Sequence, residues 1–189
     1  GNWEVLINDG VSKDNTVAIA EDYAKKHPPI RVVSEKDSGI YDAMNKGINL
    51  SNGKWLYFLG CDDKLYTESV LADISQEISL LTGEEILYGN VFSERFNGLY
   101  DGAFNFSKIL ESNISHQAIF FKKSLFEKTG YFDLKYRAQS DWDHNLKWLL
   151  AADIKNRFIN VVVAYYADGG YSSVNGDDTF YRDLRINYL

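Results

Sequence analysis

The segment GKWLYFLGCDD, residues 53–63, decides the fold of this chain. Its central run from Trp55 to Leu59 is continuously apolar rather than alternating, which is typical of a strand covered on both faces of a parallel sheet. Two adjacent carboxylates, Asp62 and Asp63, follow that run directly. The segment therefore predicts a buried strand of an α/β sheet with an acidic pair at its carboxyl end.

Strand-like and helix-like segments alternate around this stretch, as in a parallel α/β sheet. They are a strand over 3–8, a helix over 15–26, a strand over 30–34, a helix over 40–50, the strand over 55–60 and a helix over 67–81. From about residue 86 the pattern changes to short apolar strands at 86–88, 91–92 and 118–121, a hairpin signal at Asn97-Gly98 and a helix over 140–150. We predict one α/β domain, 1–189, with a parallel N-terminal half (1–85) and a mixed C-terminal half (86–189).

Composition narrows the class of function. The chain has 189 residues and a formal net charge of −7, and it contains no run rich in Lys or Arg, so nucleic acid is not expected as its main partner. No uncharged apolar run approaches the roughly 20 residues needed to span a bilayer, and no signal-peptide pattern is present. We expect a cytoplasmic protein without a transmembrane segment.

The adjacent acids Asp62 and Asp63 indicate a candidate cation-binding site. Two adjacent carboxylates at the end of a buried strand repel each other and are costly unless a cation or hydrogen-bond donors compensate them. Oxygen ligands in an open site favour Mg²⁺ or Mn²⁺, which would also bridge the phosphate oxygens of a nucleotide. A solvated loop is the alternative interpretation. The neighbouring Cys61 is expected to be a small buried residue rather than a nucleophile.

Other polar residues follow the strands, where ligands bind in open parallel sheets. After the strand over 3–8, Asp14 is expected to cap the next helix, and Asp9 is either a turn residue or a ligand contact. After the strand over 30–34 come Asp37, Asp42 and Asn45. Helical spacing places Asp42 and Asn45 on one face of the helix over 40–50, which a solvated surface would also explain.

The helix over 140–150 carries two further acids. Asp141 and Asp143 do not share one helix face, so they do not form a paired-carboxylate site. One of them could act as a general base, or Asp141 could simply cap the helix. His116 precedes an apolar strand and could be structural, and the three histidines show no zinc-ligand spacing. No Gly-rich phosphate loop or GxSxG motif is present.

Taken together, four segments resemble the family 2 glycosyltransferases, the inverting nucleotide-sugar-dependent enzymes of bacterial polysaccharide and lipopolysaccharide assembly. The resemblance implies a fold of the GT-A type. The segments are VLINDGVSKDNT (5–16), similar to the nucleotide-binding turn; SEKDSGIYDAMNKGI (34–48), similar to the sugar-nucleotide segment; residues 53–63, similar to the metal-binding strand end; and residues 115–150, similar to the acceptor half.

The resemblance assigns roles to the donor-side residues. Asp9 would contact the nucleotide base, and Asp37 with Asn45 would approach the ribose and sugar. Asp63 would bind Mn²⁺ or Mg²⁺ on the diphosphate, while Asp62 would face the ribose or donor sugar. A UDP-sugar is the expected donor because UDP is the commonest nucleotide in the family.

On the acceptor side, the resemblance makes Asp141 the catalytic base, with Asp143 as the second choice and His116 near the acceptor or diphosphate. A glycan or lipid-linked hydroxyl is the implied acceptor, with peripheral contact at the inner face of the cell membrane. The segment 168–173 is expected to be a mobile loop over the site or an ordinary turn.

Two departures from the family pattern are visible. Gly60 stands where many members carry an additional acid. The family normally begins with a strand and helix that precede anything in this sequence, which leads us to expect a truncated start. A non-catalytic sugar-nucleotide or glycan-binding module is therefore the alternative function, and a nucleotidyltransferase is a third.

Overall fold

The computed structural model describes residues 3–100, 102–167 and 175–189. Its elements, in chain order, are β1 (Val5–Asp9), α1 (Thr16–Lys26), β2 (Ile30–Ser34), α2 (Ile40–Leu50), β3 (Trp55–Tyr57), β4 (Lys64–Leu65), α3 (Val70–Ser79), β5 (Ile86–Ser93), β6 (Gly98–Tyr100), α4 (Phe106–Glu111), a 3₁₀ turn (His116–Ala118), β7 (Ile119–Lys122), α5 (Leu125–Thr129), α6 (Ser140–Leu150), β8 (Asn156–Tyr165) and α7 (Asp178–Tyr188).

The strands form a small parallel sheet and a larger mixed one. β1 and β2 pair in parallel, with Val5 opposite Ile30 and Asp9 opposite Ser34. The mixed sheet has the order β3-β7-β5-β8-β4, with β6 on β5 as a hairpin. Within it β5 and β8 are parallel, whereas β3 runs antiparallel to β7. The predicted α/β fold with a mixed second half is confirmed.

The prediction that β3 extends a parallel sheet was wrong, for a physical reason. Both faces of β3 are covered: Leu56 packs into one hydrophobic cluster, and Trp55 and Tyr57 pack against another. A continuous apolar run reports this two-sided burial, but it carries no information about the direction of the neighbouring strand.

Helices cover both faces of the mixed sheet. Ile86 and Tyr88 of β5 point into the larger cluster with Met44 of α2 and Leu146 of α6, while the intervening Leu87 joins Val70 of α3 on the other face. This alternation is the two-residue period of a strand. Because β3 and β4 lie in the same sheet as β5, the boundary predicted at 85/86 does not separate two sheets. A single domain over 1–189 stays a prediction.

Several element bounds match the sequence predictions, including β2, α2 and α6. β8, α4 and α7 were not predicted. The predicted loop over 168–173 lies outside the described residues. Within the described ranges, no helix combines the length and apolar composition needed to cross a bilayer.

Candidate active site

Asp9 ends β1 and closes a tight turn with its own carboxylate. Its Oδ2 accepts hydrogen bonds from the backbone N–H groups of Val11 (2.9 Å) and Ser12 (3.0 Å) and from the Ser34 hydroxyl on β2 (2.6 Å). The bonds from Ser12 and then Ser34 lower the pKa of Asp9 to about 2. Asp9 is therefore a fixed negative charge at the carboxyl end of the parallel sheet, as expected for a ligand-facing position.

Asp37 lies beside this turn. A Cβ placed on Gly10 would come within 2.5 Å of Asp37 Oδ2, so the carboxylate lies directly over the glycine backbone. Asn8, Asp9, Asp37 and Lys46 line one small cavity between β1 and α2. The structure thus brings together the two acids predicted to contact the nucleotide, although they are 28 positions apart in the sequence.

Asn45 has a different set of contacts. Its Nδ2 donates to the Phe132 carbonyl (2.9 Å), and its Oδ1 accepts from the Phe132 N–H (3.0 Å). Both ends of the amide are thus used to hold α2 against the segment before α6. We therefore leave Asn45 out of the proposed donor site.

The acidic pair after β3 converges on Gly60. A Cβ at that position would lie 2.6 Å from Asp63 Oδ2 and 3.1 Å from Asp62 Oδ1, so both carboxylates occupy the space that a side chain would fill. Asp62 is exposed, whereas Asp63 accepts from Gln117 Nε2 (2.6 Å) and from the Ala167 N–H (3.0 Å). Cys61 is exposed, so the expectation of a buried cysteine was wrong.

The chemistry of this pair suits a hard cation. No cluster of three or more His, Cys, Asp or Glu side chains that could hold a metal ion occurs in the part of the chain that is described. Magnesium is commonly held by one or two carboxylates together with substrate phosphates and water, rather than by a full protein cage. Two carboxylate oxygens above a glycine fit such a site.

Asp141, the second residue of α6, is a buried and well-bonded carboxylate. Only 8% of the residue is exposed. Its Oδ1 lies 2.6 Å from the Tyr41 hydroxyl, and its Oδ2 accepts from Asn113 Nδ2 (2.9 Å) and faces His116 Nδ1 at 3.7 Å. Burial raises the pKa of Asp141, but the nearby His116 ring and the hydrogen bond from Tyr41 outweigh it, so the net pKa lies below the ordinary value. The group is ionised at neutral pH, as a general base requires.

One short turn connects the acidic pair with Asp141. His116 and Gln117 are consecutive in the 3₁₀ turn, and they face Asp141 and Asp63 respectively. The Ser115 hydroxyl donates to Gln117 Oε1 (2.6 Å), which leaves Gln117 Nε2 to donate to Asp63. The turn therefore lies between the Asp63 carboxylate and the Asp141 carboxylate.

Asp143 is separate from this arrangement. Its carboxylate lies 2.7 Å from Lys147 Nζ, one helical turn along α6. That ion pair gives Asp143 a structural role, so we leave it out of the proposed acceptor site.

Comparison with known proteins identifies the family. The sequence model for glycosyl transferase family 2 matches residues 1–79. A PGL/p-HBAD biosynthesis glycosyltransferase of Mycobacterium bovis is 37% identical over 190 residues, which is 99% of this chain and 74% of that protein. The chain belongs to glycosyl transferase family 2. An uncharacterized glycosyltransferase of Mycobacterium tuberculosis is 31% identical over 98% of the chain and 71% of its own length.

Solved structures agree with the fold of this family 2 glycosyltransferase. S. aureus TarS 1-349 in complex with UDP-GlcNAc superposes with a TM-score of 0.76 over 97% of the chain at 19% identity. The chain spans 56% of that TarS chain. The predictions of the family, of a GT-A fold and of a glycosyltransferase are confirmed.

Sequence analysis did not identify three polar residues that form hydrogen bonds with the candidate acids Asp141 and Asp63. They are Tyr41 and Asn113, which bond Asp141 from 100 and 28 positions away, and Gln117, which bonds Asp63 from 54 positions away. The acids were found because each follows a strand or opens a helix. Their partners carry no such positional signal, since a buried amide or phenol is common in any core.

Proposed function

We propose that this glycosyltransferase moves a sugar from a UDP-sugar to a hydroxyl of a glycan or lipid-linked acceptor, with metal assistance and inversion of configuration. The observation that carries the proposal is the 3₁₀ turn that faces Asp63 on one side and the ionised Asp141 on the other. S. aureus TarS 1-349 has been solved in complex with UDP-GlcNAc and with UDP, which supports a uridine nucleotide as donor. Contact with a membrane surface belongs to the same proposal where the acceptor is lipid-linked.

The proposed donor site uses both sheets. Asp9 and Asp37, at the end of the parallel sheet, would bind the nucleoside. Asp63, with Asp62 beside it, would hold Mn²⁺ or Mg²⁺ against the diphosphate. Such an ion, when bound, stabilises negative charge on the departing nucleoside diphosphate.

The proposed reaction is a single displacement. Asp141 takes the proton of the acceptor hydroxyl while its oxygen attacks the anomeric carbon. The bond from that carbon to the diphosphate oxygen breaks on the opposite face, so the new bond forms with inversion and the nucleoside diphosphate leaves with the electron pair. A positioned base contributes about 10²–10⁴-fold to such a rate.

Calorimetric titration with UDP, GDP, dTDP and CDP, each with Mn²⁺ and with EDTA, tests the donor site. We expect metal-dependent binding of UDP, and loss of the metal-dependent part in Asp63→Ala. Metal-independent binding in both proteins would overturn the metal role. Binding without turnover of any UDP-sugar by the unaltered chain would favour the non-catalytic binding module.

Release of UDP from UDP-sugars tests the base. We expect Asp141→Asn to lose about 10²-fold or more in turnover, with UDP affinity within about twofold, because the base acts on the acceptor proton. Asp143→Asn is the matched control, since it makes the same change two positions along α6. Equal activity in Asp141→Asn, or an equal loss in both variants, would remove Asp141 from the base role.

A further inference from the structure

Asn113 lies between Asp141 and the core of α6. Its Nδ2 donates to Asp141 Oδ2 (2.9 Å), and its Oδ1 accepts from Asn145 Nδ2 (2.9 Å). Asn145 Oδ1 in turn accepts from the indole Nε1 of Trp148 (2.8 Å). The result is a continuous chain of hydrogen bonds from the fully buried Trp148 to the carboxylate.

The direction of every bond in this chain is fixed by its two ends. An indole N–H can only donate, and an ionised carboxylate can only accept. Reversing the Asn145 amide would turn its NH₂ group toward the indole N–H, and reversing the Asn113 amide would turn its oxygen toward the carboxylate. Only one orientation of both amides satisfies all the partners, and hydrogen bonds aligned in this way polarise and strengthen one another.

Further contacts hold the two amides in place. Asn145 is 1% exposed, and its Nδ2 also donates to the Ile114 carbonyl (3.1 Å). The Tyr100 hydroxyl donates to the backbone carbonyl of Asn113 (2.7 Å). The Asn113 side chain therefore meets Asp141 in a set position.

We propose that Asn113, oriented by Asn145 and Trp148, is the positioning residue that aims the Asp141 carboxylate and adds a hydrogen bond to its ionised form. This inference rests on the proposed role of Asp141 as the base. Asn113 uses both ends of its amide within the protein, so it acts on the reaction through Asp141. Tyr41 bonds the other carboxylate oxygen. Together the two bonds set the plane in which the remaining lone pairs of Asp141 meet the acceptor hydroxyl.

Within the described ranges, the other titratable groups that face Asp141 are Tyr41, His144 and His116. Burial, followed by the charge of Asp141, raises the pKa of Tyr41, so its hydroxyl keeps its proton and donates. Burial lowers the pKa of His144, on the same helix, to about 3, so that ring is neutral. His116 faces Oδ2 from the 3₁₀ turn. Substitutions in the amide chain leave all three groups in place.

Titration of the Asp141 carboxyl by ¹³C NMR tests the proposal without any substrate. Protein with labelled aspartate is used, and the Asp141 signal is assigned by its absence in Asp141→Asn. Loss of a hydrogen bond to a charged group is expected to raise the pKa of Asp141 by about one to two units in Asn113→Ala. The acidic limb of the kcat profile should move upward by the same amount, with KM for the donor within about twofold.

Two tryptophan variants distinguish the effect of amide orientation on the Asp141 pKa from the effect of losing core packing. Trp148→Phe removes the indole donor that orients the amides, and we expect a smaller pKa shift in the same direction. Trp142→Phe is its matched control, because the Trp142 Nε1 donates to the Ile109 carbonyl (2.7 Å) from the same helix but outside the amide chain. Asn160→Ala, at an exposed amide on β8 that bonds Asn90, is the control for Asn113→Ala.

The outcomes distinguish this inference from the proposed function. An unchanged Asp141 pKa in both Asn113→Ala and Trp148→Phe overturns the inference, as do equal shifts in Trp148→Phe and Trp142→Phe. If Asn113→Ala does not fold, the tryptophan pair decides alone. A shifted carboxyl in a chain that turns over no UDP-sugar would support the positioning role and count against the proposed activity.

Discussion

At the scale of single residues, two acids of the proposed site in this glycosyltransferase are kept charged in different ways. Asp9 receives two backbone N–H groups and a hydroxyl at the end of a strand. Asp141 is buried and receives side-chain bonds from helix α2 and from the segment before the 3₁₀ turn. Position after a strand identified Asp9 as a candidate, and position at the start of a helix identified Asp141. These positions could not predict their ionisation, because the donors to Asp141 come from distant parts of the chain.

Asp9 should make the stability of the fold sensitive to acid. Its pKa is about 2 in the folded chain and has an ordinary value of 3.8 when unfolded. A lowered folded-state pKa contributes stability that is present above about pH 4 and is lost as the pH falls through about 2. Asp9→Asn removes this charge but keeps an oxygen that can accept from Val11 and Ser12.

We therefore expect the unaltered chain to be more stable than Asp9→Asn at neutral pH, with the difference shrinking between about pH 4 and pH 2. Urea unfolding followed by circular dichroism at several pH values measures it. Asp22→Asn, which removes an exposed ion pair with Lys26, is the control and should change little. A difference between Asp9→Asn and the parent that stays constant across this range would contradict the role given to the Asp9 bonds.

At the scale of elements, the sequence predicted the bounds of the helices better than the contacts that the helices make. The bounds of α2 match the predicted helix over 40–50, and in the structure Met44 and Ile48 lie on its buried face. The sequence pattern of this helix says nothing of Tyr41 bonding Asp141, or of Asn45 bonding Phe132 across 87 positions. β8 could have been predicted, since its β-branched run at 161–163 is typical of a strand. Its parallel pairing with β5 could not, because local pattern does not select a partner.

The Asn45→Ala variant tests whether the Asn45 side chain contributes to the stability of the fold or to donor binding. Asn45→Ala leaves the N–H and carbonyl of Phe132 without their partners, which should lower the free energy of unfolding by about 1–3 kcal/mol. Affinity for UDP should remain within about twofold of the parent's. Asn49→Ala, one helical turn later and at an exposed position, is the matched control and should cost less.

Denaturant unfolding and calorimetry on the same preparations give both quantities. A large loss of UDP affinity in a stable Asn45→Ala protein would instead support the donor contact that the family resemblance implies.

At the scale of the whole molecule, α2 joins the two sheets. Asn8, in β1 of the parallel sheet, donates to the Ala43 carbonyl of α2 (3.1 Å), and Gly47 allows the close approach, because a Cβ there would lie 2.7 Å from Asn8 Nδ2. From the same helix Tyr41 reaches Asp141. The proposed nucleoside end and metal end of the donor site thus lie on different sheets. Helix α2 links the parallel sheet to Asp141.

A donor that contacts both sheets should protect backbone amides of both sheets from hydrogen exchange at the same time. We expect UDP with Mn²⁺ to slow amide hydrogen exchange in the turn over 10–14 and in the strand end over 60–65 together, while α3 remains unchanged, because bound ligand suppresses the local openings that exchange requires. Mass spectrometry of peptic fragments measures each segment. Asp63→Ala should lose protection in both segments at the same UDP concentration, since the two are coupled through one ligand. Protection confined to the 10–14 turn, and unaffected by Asp63→Ala, would show that UDP binds to the parallel sheet alone, and would place the diphosphate away from the acidic pair.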